Sequence, residues 1–113
     1  MTLNKLSAEI YEWAKSKGWW EEKRDLPTQI ALQHSELSEV LEEYRKHKDP
    51  TEIYFSKGTN GLDKPEGIPI EYVDLIIRVL DTCGHYGIDI NEAVRMKMEY
   101  NKTRPIRHGD RKC

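Results

Sequence analysis

The chain has 113 residues, the length of one domain, and its formal net charge of −2 gives no general attraction to nucleic acid or to an anionic membrane. The longest apolar run, residues 73–80, is broken by Asp74 and Arg78 and is too short to span a bilayer. Cys83 and Cys113 are too far apart for a metal or redox motif, and Cys83 has the pattern of a buried thiol. We therefore expect one cytoplasmic domain without a nucleic-acid or membrane partner.

The first predicted helix follows Thr2 or Asn4, either of which can cap it, and it ends near Gly18, a residue type preferred after helix C-termini. Trp19 and Trp20 follow in a connector rich in charged residues. Paired tryptophans in such a place are more often lids of a core or anchors of an interface than ligand contacts. Stacking on a nucleotide base is the alternative role.

The second predicted helix opens at Pro27 and Thr28 and runs to about His47. A stripe of carboxylates borders its apolar face. The apolar face consists of Ile30, Leu37, Val40, Leu41 and Tyr44, and the stripe consists of Glu36, Glu39 and Glu43. Residues 48–67 show no sustained periodicity, so we expect a loop that acts as a lid or binding loop, or that residues 53–55 anchor to the core.

The third predicted helix runs from about Pro69 to His85 and carries apolar residues around most of its circumference, which is typical of a helix buried on nearly every side. One narrow polar stripe remains, made of Glu71, Asp74, Arg78 and Asp81. Such a stripe is costly to bury unless it faces a cavity, a metal or a partner charge. We expect Arg78, between the two aspartates, to form an ion pair that orients a ligand carboxylate. The buried character of the helix also predicts a homodimer or homotetramer.

Asp89 and Glu92 have the spacing of a capping box, which predicts a fourth helix that runs to about Thr103. A basic tail follows at residues 105–113. The elements together predict an all-α fold, a four- to five-helix bundle that forms a single domain over residues 1–113.

Two acidic pairs, Glu36 with Glu39 and Glu71 with Asp74, are each spaced three residues apart, so each pair lies on one helix face. Four carboxylates that converge from two helices repel one another unless a divalent cation neutralises them. Oxygen ligands suit Mg²⁺ or Mn²⁺, and neither pair brings the His or Cys expected for zinc. A di-iron carboxylate bundle needs a His three residues after a Glu, and the chain has no such pair. A solvated helix face is the plainer explanation of a single pair.

The order Glu-x-x-Glu and then Glu-x-x-Asp of these pairs resembles the signature of the MazG-like all-α nucleoside triphosphate pyrophosphohydrolases, which are related to dCTP pyrophosphatases and dimeric dUTPases. Residues 87–93 are similar to the start of the family's last helix, and residues 97–104 are similar to its Lys-x-x-x-Asn-x-x-Arg ending. The resemblance covers roughly residues 32–104. The interval at residues 40–70 is longer than the family usually shows. The identity of the substrate is therefore harder to infer from the family.

The resemblance implies a Mg²⁺-dependent enzyme that hydrolyses a (d)NTP to a (d)NMP and pyrophosphate in nucleotide-pool control or sanitation. The implied ligands of one to three Mg²⁺ ions, with Mn²⁺ as the alternative, are Glu36, Glu39, Glu71 and Asp74. Glu39 is the implied catalytic residue that orients or deprotonates the water, and Glu43 is a candidate beyond the direct ligands. The implied phosphate-binding residues are Lys97, Asn101 and Arg104. The candidates for contact with the base are Trp20, His34 and Tyr54, with Trp13 and Trp19 as further ones.

Two other functions are compatible with the sequence. The first is a non-catalytic helical interaction module, in which the acids form salt bridges across a dimer. The second is a nucleotide-binding regulator that keeps the site without turnover. On α-helical spacing alone, the cations near the end of the fourth helix are also explained by their interaction with the helix macrodipole.

Overall fold

The computed structural model describes residues 2–106, so most of the basic tail predicted at residues 105–113 lies outside the described part of the chain. Four helices and one two-stranded antiparallel sheet make up the fold. They are α1 (Leu3–Ser16), α2 (Leu26–Arg45), β1 (Tyr54–Lys57), β2 (Asp63–Glu66), α3 (Ile68–Tyr86) and α4 (Ile90–Lys102). The predicted helical class is confirmed. No helix in the described residues is long and apolar enough to cross a membrane.

Side chains that accept from free backbone N–H groups fix where the helices begin. Thr2 caps α1, as predicted, because its hydroxyl oxygen accepts from the Lys5 N–H at 3.1 Å. Asp89 caps α4, also as predicted, and its carboxylate accepts from the Glu92 N–H at 3.1 Å. Asn4, the alternative cap of α1, has a different role: its side-chain oxygen accepts from the Ile90 N–H at 2.8 Å and so ties α1 to the start of α4.

The segment at residues 48–67, predicted to be a loop, contains the β1–β2 hairpin. Tyr54 pairs with Glu66 at one end of the ladder, and Lys57 pairs with Asp63 at the other. The prediction of an irregular loop was wrong because strands of four residues are too short to show a period. The second strand, moreover, has the sequence Asp-Lys-Pro-Glu, which has low strand propensity. Backbone hydrogen bonds to β1 stabilise β2, although its composition does not favour a strand.

Helix α3 is central, because it packs against both α1 and α2. The buried apolar side chains are Ala14, Val40, Ile68, Leu80 and Cys83. The Cys83 thiol is buried, as predicted, and burial raises its pKa. The expectation of a helix buried on nearly every side holds only near the C-terminal end of α3, since Val73 and Ile76 are 45% and 48% exposed in the single chain.

A glycine allows α3 to begin close to the preceding segment. A Cβ at Gly67 would lie 2.3 Å from the carbonyl oxygen of Glu52, and the φ of +121° at this residue also disfavours any side chain. The first turn of α3, which carries Glu71, is therefore held against the chain that leads into the hairpin.

Candidate metal centre

Three of the four predicted metal ligands meet at the seam between α2 and α3. Glu36 comes from α2, and Glu71 and Asp74 come from the first half of α3. One carboxylate oxygen from each lies within 4.8 Å of the other two, and all three side chains are half-buried. The separation of three residues between Glu71 and Asp74 places both carboxylates on the same face of α3. The sequence pattern thus becomes a cluster in space.

Contacts between α2 and α3 set the register that brings Glu36 to this cluster. Its carboxylate accepts from Arg78 Nε at 3.3 Å, and one turn away Gln33 Nε2 donates to Thr82 Oγ1 at 3.1 Å. Lower numbers on α2 face higher numbers on α3, so the helices run antiparallel. An ion pair was expected for Arg78, and it forms with Glu36 on the neighbouring helix. The guanidinium also lies over the Trp19 ring, at 4.4 Å from its centroid.

The electrostatics of the cluster show excess negative charge. The pKa of Glu71 is raised from 4.5 to about 7, first by burial and then by repulsion from Asp74, Glu39, Glu43 and Glu36. Near neutral pH the Glu71 carboxyl group is therefore partly protonated unless a bound cation displaces the proton.

The pKa of Asp74 is also raised, by burial and by the charge of Glu36. A hydrogen bond from Glu71 and the positive charges of Lys64 and Arg78 oppose this rise without cancelling it. Two neighbouring acids with raised pKa values are a feature of functional sites, because burial beside like charges is unfavourable for folding alone. Hard carboxylate oxygens without His or Cys are the donor set that suits Mg²⁺ or Mn²⁺, so the residues present fit such an ion.

The other two acids of the α2 stripe lie outside the cluster. Glu39, the fourth predicted ligand and the predicted catalytic residue, is exposed, although its charge acts on Glu71. Glu43 is only 4% exposed, and both of its oxygens accept from the Tyr54 hydroxyl, at 2.8 and 3.0 Å. Glu43 is therefore held by the hairpin, and the same contact raises the pKa of Tyr54 to about 12.

Asp81, the last acid of the α3 stripe, belongs to a separate network. It is 1% exposed, and both of its oxygens accept from Trp20 Nε1, at 3.0 and 3.1 Å. The Trp20 ring stacks on His85 with a centroid distance of 3.9 Å. Trp20, a predicted base contact, thus has its only donor and one ring face occupied by residues of α3. These contacts favour the role of a lid on the core.

The other two candidates for the base lie in different surroundings. His34 lines a cavity of about 530 Å³ together with apolar residues of α2 and Tyr72. The Tyr54 hydroxyl donates to Glu43, and its ring lies beneath the Lys48 ammonium, which is 4.3 Å from the ring centroid.

Most of the predicted apolar face of α2 lines the cavity beside His34 or is exposed, and Val40 alone among its five residues is buried.

Two of the predicted phosphate-binding residues, Lys97 and Asn101, lie on the exposed helix α4, and Arg104 follows its C-terminal end. Lys97 and Arg104 both place their cationic groups near the Tyr100 ring, at 5.1 and 5.9 Å from its centroid, and Asn101 is exposed. The main packing partner of α4 is α1, whereas the acidic cluster lies on α2 and α3. Among residues 2–106, neither Lys97 nor Asn101 forms a hydrogen bond or ion pair with an acid of the cluster.

Comparison of the chain with protein-family models, with curated proteins and with solved structures finds no match. The MazG-like family accordingly stays a prediction that rests on the motifs.

Proposed function

We propose that this protein is a Mg²⁺-dependent nucleoside triphosphate pyrophosphohydrolase of the MazG-like type, which converts a (d)NTP and water to a (d)NMP and pyrophosphate. The observation that carries the proposal is the meeting of Glu36, Glu71 and Asp74 within 4.8 Å, with the pKa of Glu71 raised to about 7. A solvated helix face explains a single acidic pair, but it does not explain half-buried acids that converge from two helices. A cytoplasmic location and a role in nucleotide-pool control or sanitation belong to the same proposal.

In this mechanism, Glu36, Glu71 and Asp74 would hold the ion, and Arg78 keeps the Glu36 carboxylate in place. A bound Mg²⁺ ion would screen the phosphate charge and lower the pKa of water. Glu39, exposed beside the cluster, takes the proton of the attacking water. The water oxygen bonds to the α-phosphorus as the bond to the bridging oxygen breaks, and pyrophosphate leaves with that electron pair.

The phosphate-binding role of α4 requires a second subunit in this proposal. Helix α4 has no buried residue, and Val94, Met98 and Tyr100 on it are exposed. The radius of gyration of 16.9 Å exceeds the value of about 13 Å for a compact domain of this size. A homodimer or homotetramer that covers this apolar surface would bring Lys97, Asn101 and Arg104 of one chain toward the acids of another.

The direct test measures pyrophosphate release from each common NTP and dNTP, with Mg²⁺, with Mn²⁺ and with a chelator. Glu71→Gln and Glu39→Gln should each lower kcat/KM by about 100-fold or more, since a lost ligand or base removes several kcal/mol of transition-state stabilisation. Glu42→Gln is the matched control, because Glu42 is on the same helix but is exposed and paired with Arg45 at 2.7 Å. Absence of turnover with every nucleotide, together with no rise in melting temperature on adding Mg²⁺, would refute the proposed enzymatic activity.

One structural observation favours the second candidate, a helical interaction module. Apolar side chains flank the acids on both helices, and Leu37, Leu41, Tyr72 and Ile76 are each about half exposed. In that case dimer formation would persist while no nucleotide binds. Tight nucleotide binding without hydrolysis would instead identify a regulator, and Glu39→Gln would then leave its binding intact.

A further inference from the structure

The β1–β2 hairpin has two chemically different faces. Its register pairs Tyr54 with Glu66 and Ser56 with Lys64. Because side chains alternate between the faces of a strand, these four residues share one face. The hairpin lies within the interval that is longer than the MazG-like pattern, and no sequence motif assigns a role to Lys64.

The face that carries Lys64 is turned toward the acidic helices. Its Tyr54 hydroxyl donates to Glu43 of α2, at 2.8 and 3.0 Å, and β2 packs against α3. The opposite face is turned to solvent: Phe55 is 63% exposed, and Lys57 pairs with Asp63 at 3.0 Å. The two lysines of the hairpin therefore stand in contrasting positions on one small element.

Lys64 lies on the hairpin face that the Tyr54–Glu43 contact holds toward α2, on the strand that packs against α3. Its positive charge is near enough to Asp74 to act on that carboxylate. Within residues 2–106, the Lys64 side chain forms neither a hydrogen bond nor an ion pair, whereas Lys57 has Asp63 as its partner. A lysine that acts on Asp74 from the hairpin without forming an ion pair with it is placed to bind an anionic group held at the cluster.

We propose that Lys64 binds the phosphate groups of the ligand that the acidic cluster holds through Mg²⁺, namely a nucleoside triphosphate or pyrophosphate. This inference rests on the proposed function and adds a substrate contact on the hairpin. A Mg²⁺–phosphate complex brings several anionic oxygens to the rim of the cluster, and the lysine ammonium is a mobile point charge with three donors that suits them. The Tyr54–Glu43 contact serves to fix the hairpin so that Lys64 faces the cluster.

The test is calorimetric titration of the full chain with Mg²⁺ alone, and then with inorganic pyrophosphate at saturating Mg²⁺. Lys64→Gln should weaken pyrophosphate binding by about 10-fold or more, which is the expected loss of one charge-assisted hydrogen bond. Its affinity for Mg²⁺ alone should stay the same or increase, since a repelling charge has gone. Lys57→Gln, the matched control on the opposite face, should leave both affinities unchanged, and Lys64→Arg should stay within about 3-fold of wild type for pyrophosphate.

The outcomes separate this inference from the proposed function. A wild-type protein that binds neither Mg²⁺ nor pyrophosphate refutes both. Wild-type binding of both, with Lys64→Gln equal to wild type, refutes only the role of Lys64. Equal weakening by Lys64→Gln and Lys57→Gln would mean a general charge effect and would also overturn it. Unchanged melting temperatures without Mg²⁺ establish that the variants are folded. If Lys64→Gln is not folded, the comparison of Lys64→Arg with wild type still tests the role of Lys64.

Discussion

Replacement of Glu71 by Gln should stabilise the metal-free protein at alkaline pH while removing its response to Mg²⁺. The native state keeps the Glu71 proton up to about pH 7, whereas the unfolded chain loses it near 4.5. Stability of the metal-free wild type therefore falls as the pH rises from 4.5 to about 7, and the penalty is complete above that range. The full shift corresponds to about 3 kcal/mol, and screening by solvent at this half-buried site reduces it to about 1–2 kcal/mol.

The assay is thermal unfolding with a chelator at fixed protein concentration, at about pH 5 and about pH 8. For a domain of this size the gain at the higher pH corresponds to about 4–8 °C, and the two proteins should unfold alike at the lower pH. Added Mg²⁺ should raise the melting temperature of the wild type and raise that of Glu71→Gln much less. Glu42→Gln, at an exposed carboxylate on α2, should behave as wild type in every condition. Destabilisation by Glu71→Gln at about pH 8, or a gain that does not change with pH, would refute the reasoning.

Three further predictions concern side-chain contacts that hold the hairpin and the helices in place. Tyr54→Phe removes the donor to buried Glu43 and should lower the urea midpoint, and the Tyr54 phenol should titrate at about 12 by ultraviolet difference absorbance. Trp20→Phe leaves the buried Asp81 carboxylate without its indole donor and should cost about 1–3 kcal/mol by urea unfolding, unless Asp81→Asn is introduced as well and recovers part of the loss. Gly84→Ala places a Cβ 2.7 Å from a side chain of α1 and should cost about 1–3 kcal/mol, seen as a lower melting temperature; an unchanged value would contradict the close packing of α1 and α3.

The helices were predictable because their signals are local. Proline in the first turn and capping aspartates or threonine mark the starts, and Gly18 and Gly87 follow the ends of α1 and α3 with positive φ. The hairpin was not predictable, since its strands form through mutual pairing rather than through a pattern within either of them. The Asn60-Gly61 pair between the strands, with a positive φ at Gly61, is a signal that a search for short hairpins could have used.

The candidate site was predictable only as far as helix periodicity reaches. Spacing of three residues put Glu71 and Asp74 on one face, but the same rule grouped Asp81 with them, although Asp81 is bound to Trp20. A helical wheel cannot separate these acids, because it holds no information on how two neighbouring helices align. That alignment comes from pairs such as Glu36 with Arg78, and it also leaves Glu39 exposed at the edge of the cluster.

The two halves of the proposed site should respond differently to protein concentration. Glu36, Glu71 and Asp74 meet within one chain, so Mg²⁺ binding needs no partner. The proposed phosphate-binding residues Lys97 and Asn101 lie on α4, which packs mainly against α1, so in this proposal phosphate binding by α4 needs a second subunit. Specific activity for pyrophosphate release should therefore fall on dilution below the dissociation constant of the oligomer, while Mg²⁺ affinity stays constant. Activity that is unchanged by dilution, with light scattering showing a monomer, would mean that α4 does not take part and would leave Lys64 as the cation proposed to bind the phosphates.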